Sequence, residues 1–307
     1  MTMTLPLTAL AMLAFAANSL LARAALGGGA IDAASFTAIR LCSGALALGL
    51  LILAQRRRTD GRVIWGALPG DWISAAALFA YAIGFSLAYL RLGAATGALI
   101  LFAAVQATML LWGLARRDRP GRAELAGLAI AFAAFVYLLL PGARLFTAGG
   151  APDPLGGALM TGAGIAWGVY SLRGRGVANP LGATAGNFLR AAPMCLLLAL
   201  LPMAGSTARA GGIGLALASG VVASGLGYAV WYRALPHLRT VQAATVQLTV
   251  PLIAAIGAVA VLGETLTARV LIAGPCLLGG VAVAILARRP ARPPAPHRKA
   301  AENNGIM

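Results

Sequence analysis

The sequence is short of charge. Only 10% of its 307 residues are Asp, Glu, Lys or Arg, where a soluble domain carries about 25%. Acids are scarcest: eight in all, and none falls in the middle of an apolar run, which excludes a simple carboxylate proton relay inside a bilayer. The two histidines, His237 and His297, lie outside the runs with no acid within four residues. A nucleophile–base pair has no material to be built from, so no catalytic residue is expected. The three cysteines, Cys42, Cys195 and Cys276, sit inside apolar runs without a Cys-x-x-Cys pattern. That leaves neither a disulfide framework nor a metal site, and no cofactor is expected.

What is abundant is apolar length. The chain is 60% hydrophobic, and ten runs come near the roughly 20 residues a helix needs to cross a bilayer core. They lie at 5–26, 33–54, 72–91, 94–114, 123–141, 154–172, 181–203, 211–231, 239–262 and 269–287. The stretch Gly93-Ala94-Ala95-Thr96-Gly97 separates two runs that would otherwise be one of double length. Met1 to Thr4 has no basic residue, unlike a signal-peptide n-region, so the first run reads as an uncleaved span.

A net charge of +16 would suit nucleic acid, but its placement does not. The clusters around Arg56–Arg62, Arg116–Arg122, Arg173–Arg175, Arg233–Arg239 and Arg288–Lys299 all fall on one side of a ten-span chain. The other side holds Arg91, Arg144, Arg209 and Arg269. The positive-inside rule then puts both termini in the cytoplasm and excludes nucleic acid as a partner. The proline- and arginine-rich tail, 288–307, reads as a disordered basic segment beside anionic lipid.

The Gly- and Pro-rich loop at 142–153 divides the spans five and five. An odd number of spans forces the second half into the membrane upside down relative to the first, which is the inverted repeat of many secondary transporters. The halves match in order. Arg40 and Arg190 lie in the second span of each half, following Asn18-Ser19 and Trp167-Gly168 at similar distances. Tyr89-Leu90-Arg91-Leu92 resembles Tyr232-Arg233-Ala234-Leu235. The expected fold is an all-α membrane protein: ten transmembrane helices as two inverted five-helix repeats, 1–147 and 148–287, around a central cavity.

The end of the second half reads Pro251-Leu-Ile-Ala-Ala-Ile-Gly257, then Gly263-Glu264-Thr265-Leu266-Thr267, then Gly274 and Gly279. With Trp167-Gly168 and Arg40, this resembles the EamA-type members of the drug/metabolite transporter superfamily over residues 5–287. The Gln106 region and the aromatic third span are most similar to the aromatic-amino-acid exporters of that superfamily. The resemblance implies a midplane cavity and efflux of small metabolites across a bacterial inner membrane; a monomer embedded in lipid is expected. Asn18 stands near the place where small multidrug-resistance exporters carry a glutamate, which argues against cationic drugs.

Candidate substrate contacts follow from chemistry. Tyr81, Phe85 and Tyr89, four apart, share a helical face, as do Phe102 and Gln106. Aromatic faces suit an apolar or aromatic side chain, and Trp167, Tyr170 and Tyr228 extend the set. Asn18, Gln106 and Gln247 are amides that must face the bundle interior; they bind substrate or tie helices together. Arg40 and Arg190 either grip a carboxylate or hold helix-end carbonyls. Gly164, Gly168 and Pro251 are candidate hinges, since Pro251 removes a donor near Gln247. Glu264 is expected to cap the following helix or pair with Arg269. The expected substrates are amino acids, including large apolar and aromatic ones. Export of neutral drugs or other small metabolites is the alternative.

Overall fold

In the computed structural model, residues 4–57, 68–115, 121–139, 152–174, 177–199, 207–238 and 246–287 are described. The basic tail and much of the loop at 142–153 lie outside them. Ten helices result: α1 (Thr4–Gly27), α2 (Ala33–Arg57), α3 (Trp72–Tyr89), α4 (Ala94–Ala115), α5 (Arg122–Leu139), α6 (Pro154–Arg173), α7 (Pro180–Ala199), α8 (Ala210–Ala234), α9 (Thr249–Leu262) and α10 (Ala268–Ala287). All but α9 are long and apolar enough to cross a membrane; α9 is a 14-residue apolar helix. Among the described residues there is no strand, only an isolated bridge between Ile31 and Ala208.

Helix starts follow capping chemistry. The carboxylates of Asp32, Asp71 and Asp153 and the amide of Asn179 accept the backbone N–H groups of Ser35, Ser74, Gly156 and Gly182, satisfying donors a first turn leaves orphaned. Gly263, at φ 65°, ends α9 in the left-handed region that glycine enters without penalty, and so aims the next residue, Glu264.

The outer surface is bare hydrocarbon: Leu5, Phe132, Leu196 and Val261 are 76%, 70%, 70% and 73% exposed. Side chains of this kind favour lipid. Inside, small residues replace large ones. A Cβ on Gly127 would lie 2.6 Å from the Gly280 carbonyl, and one on Gly280 would lie 2.7 Å from the Gly127 carbonyl. α5 and α10 therefore meet backbone to backbone, as small-residue seams allow. The packing exchanges between halves. α1 packs on α8 and α9 as α6 packs on α3 and α4, while α2 meets α7 and α5 meets α10.

α8 departs from the regular helix that its apolar pattern predicts. Ser219–Leu226 is a π-helix, flanked by α-helical turns. π segments are rare and gather at functional sites. Gly220 seats this segment against the Arg40 carbonyl and Ser43 of α2, so the wider turn faces the bundle interior.

Candidate functional site

α3 serves as a ruler. It has 18 residues, about 27 Å at 1.5 Å per residue. Tyr81 and Phe85 lie in its middle stretch, and there the structure holds a cavity of about 30 Å³. The cavity gathers side chains from α1, α3, α4, α6 and α8, with Gln247 from just before α9. A buried water needs roughly 10–15 Å³ of such space, so this conformation has room for two or so. A metabolite enters only when helices part.

Seven of the ten aromatic and amide candidates line this cavity: Asn18, Tyr81, Phe85, Phe102, Trp167, Tyr228 and Gln247; Tyr89 is buried behind Phe85 and does not. Trp167 is the hub. Its ring stacks with Tyr228 (5.3 Å, 16°) and Tyr170 (5.3 Å, 29°) and tilts against Tyr81 at 4.8 Å. Tyr170 is buried on the far side of that stack and does not line the cavity. Gln106 is buried too but lies outside the lining. α4 and α6 approach closely at this level: a Cβ on Gly164 would lie 2.5 Å from that of Ala104, and one on Gly168 2.7 Å from that of Thr108. Both glycines sit inside a continuous α6 as seam residues.

Pro251 lies in the first turn of α9; residues 239–245 of the expected ninth span lie outside the described residues. It has no N–H for the Gln247 carbonyl, and the helix is interrupted at Leu248. The Thr249 hydroxyl takes the Val246 carbonyl at 2.6 Å, one way a break of this kind is satisfied.

The lining also includes Phe15, Ser19, Leu101, Ala223 and Ser224. Phe15 is a generic apolar residue in α1, and nothing local marks it. Ser224 lies in the π segment, four residues before Tyr228. The run Ser219-Gly220 with Ser224-Gly225 was the one available signal.

The arginine pair separates. Arg190 donates to the carbonyls of Gly186 (3.0 Å) and Leu68 (3.4 Å), tying the segment before α3 to α7. Arg40 does something else. It is 1% exposed; its Nη2 donates to the Tyr81 hydroxyl at 2.9 Å and its Nε to Ser224 Oγ at 3.2 Å. Its guanidinium carbon lies 4.9 Å from the centroid of the Phe85 ring and 5.1 Å from that of Tyr81. The cation therefore lies directly behind three cavity-lining side chains.

A charged pair joins helices at each end of the bundle. At one end Arg23 Nε meets Glu264 Oε1 at 2.9 Å, Arg23 Nη1 donates to the Tyr89 carbonyl, and the Ala94 N–H donates to Glu264 Oε2 at 2.8 Å. Glu264 thus caps α4 rather than α10. Arg269 instead reaches the carbonyls of Tyr137 and Leu138. At the other end Arg173 donates to Asp71 Oδ1 (2.9 Å) and Ser74 Oγ (3.0 Å). Partial burial pushes the Asp71 carboxyl up, but hydrogen bonds from Ser74 and Arg173 outweigh it and hold it below the ordinary value. Glu264→Ala strips a cap and leaves Arg23 unpaired. The expected loss of stability is about 1–3 kcal/mol, read as a lower melting temperature in detergent. An unchanged melting temperature would count against the latch.

Residues 154–286 match the EamA-like transporter family. A Pseudomonas aeruginosa protein described as "Uncharacterized protein PA1977" is 54% identical over 93% of this chain and 95% of its own. A solved structure described only as "Crystal structure of protein" superposes with a TM-score of 0.62 at 22% identity, covering 92% of this chain and 99% of that one. That likeness bears on the fold alone.

Proposed function

This chain belongs to the EamA-like transporter family, whose members are membrane transporters of small molecules, and on that premise we propose that it exports amino acids, including large apolar and aromatic ones, from the bacterial cytoplasm. The observation that carries the proposal is the aromatic cavity around Trp167, walled by Tyr81, Phe85 and Tyr228 and edged by Asn18 and Gln247. Aromatic walls suit an apolar side chain, and a few placed polar groups suit its backbone end.

The transport cycle is alternating access between two inverted repeats, 1–147 and 148–287. Two features support it. Exchanging the halves maps the main helix contacts onto one another. Each charged latch joins one half to the other, α1 and α4 to the α9–α10 turn, and α3 to α6. Opening one latch while the other holds exposes the cavity to one side at a time. The charge distribution supports an orientation with both termini in the cytoplasm.

Purified protein in liposomes is expected to take up labelled phenylalanine and leucine above empty vesicles. Uptake of some other metabolite, with no amino acid carried, would overturn the substrate assignment.

A further inference from the structure

Hydrogen-bond accounting gives the cavity a polarity. The Tyr81 hydroxyl accepts from Arg40 Nη2 at 2.9 Å and from Asn18 Nδ2 at 3.3 Å. With both lone pairs engaged, its remaining capacity is its own proton. Ser224 Oγ accepts from Arg40 Nε, which leaves its proton and one lone pair. Asn18 Oδ1 is taken by the Ser219 hydroxyl at 2.6 Å. The wall on this side therefore offers O–H donors, polarised by the cation behind them.

Among the described residues no acid pairs with Arg40, and no acid lines the cavity. Its Nη1 is buried without a hydrogen-bond partner. A buried cation without a compensating anion is costly, and a buried N–H left unpaired adds to that cost. The Tyr81 and Phe85 rings offset part of it. Arg190, by contrast, is only half-buried and spends both Nη groups on backbone carbonyls.

From this we infer that Arg40 is the anion-recognition group of the cavity, and that the transported class is organic carboxylates with an apolar or aromatic body, the α-ammonium being dispensable. The inference rests on the transporter reading above and narrows it. On opening, a carboxylate accepts from the Tyr81 and Ser224 hydroxyls and neutralises Arg40, while the rings of Trp167 and Tyr228 take the body. Nothing in the lining offers a carboxylate to an ammonium group.

Wild-type protein tests this without relying on a variant that folds. Melting of the purified protein, and uptake into liposomes, are followed with phenylalanine, 3-phenylpropionate (no amine), phenethylamine (no carboxylate) and phenylalaninamide. The two carboxylates are expected to raise the melting temperature and be carried. The amine and the amide should be weaker by roughly ten- to a hundredfold, the loss of a charge-assisted hydrogen bond in a dry site. Phenethylamine or phenylalaninamide binding as well as phenylalanine would overturn the inference while leaving amino-acid export standing. Carriage of 3-phenylpropionate without phenylalanine would do the reverse. Failure of every compound to bind would overturn both. Ser224→Ala, a milder change than any at Arg40, should weaken the carboxylates alone; equal weakening of all four compounds would contradict the assignment.

Discussion

Trp167→Ala is expected to cut phenylalanine uptake by about ten- to a hundredfold in protein that still inserts and stays monodisperse. The ring stacks on Tyr228 and Tyr170 and props Tyr81 at 4.8 Å. Aromatic pairs of this kind contribute about 0.5–1.5 kcal/mol each beyond area burial. Removing the hub both takes away the surface on which a substrate ring would lie and frees three tyrosines to shift. A loss of one to two such contacts in the loaded state corresponds to roughly that factor. Trp167 is only partly buried, so the cost to folding should fall below that of a fully buried Trp→Ala change, about 3–5 kcal/mol. Trp167→Phe keeps a stacking face and should retain most activity. Uptake by Trp167→Ala equal to wild type would remove the cavity from the transport path.

Gly164→Val is expected to fail at an earlier stage, in folding. The added Cβ would lie 2.5 Å from Ala104 Cβ and 2.7 Å from the Leu101 carbonyl. The carbonyl belongs to the α4 backbone and cannot rotate aside, so α6 must move as a body. Overpacking of this kind costs about 1–3 kcal/mol, and more where the neighbour is rigid. The protein should be recovered in low yield or melt far below wild type. Gly162→Val supplies the control on the same helix, since a Cβ there meets nothing within 4 Å. If both variants behave alike, propensity rather than the α4–α6 seam sets the outcome.

The seam also explains what could be read from the sequence and what could not. Span existence and number were legible because a bilayer imposes length and apolarity on each helix. The three aspartate caps and the Gly263 turn follow local rules. Which residues meet at the centre depends on helix rotation, and single-helix spacing does not carry that. Phe102 and Gln106 share a face, yet only Phe102 lines the cavity and Gln106 lies one turn further along α4. The π segment adds to the problem by altering the register of α8 partway along; Ser224, four before Tyr228, shares its face, but a serine in an apolar run does not mark itself as a cavity residue. Glu264 shows the limit of neighbourhood reasoning. The helix after it and Arg269 were the nearby partners, but its ion pair is with Arg23, 241 positions away. Arg40 and Arg190 stood as a matched pair in sequence and have different surroundings in the fold, one facing ring and hydroxyl, the other backbone carbonyl.

The most direct measurement is the reactivity of a cysteine placed at Ser224 in protein whose native Cys42, Cys195 and Cys276 are replaced by alanine. Membrane-impermeant thiol reagents are applied in turn from each side of reconstituted vesicles. If the two halves rock around this cavity, the cysteine reacts from both sides, and a transported carboxylate such as phenylalanine slows both reactions. Reaction from one side alone, or rates that no transported compound changes, would contradict alternating access at this site.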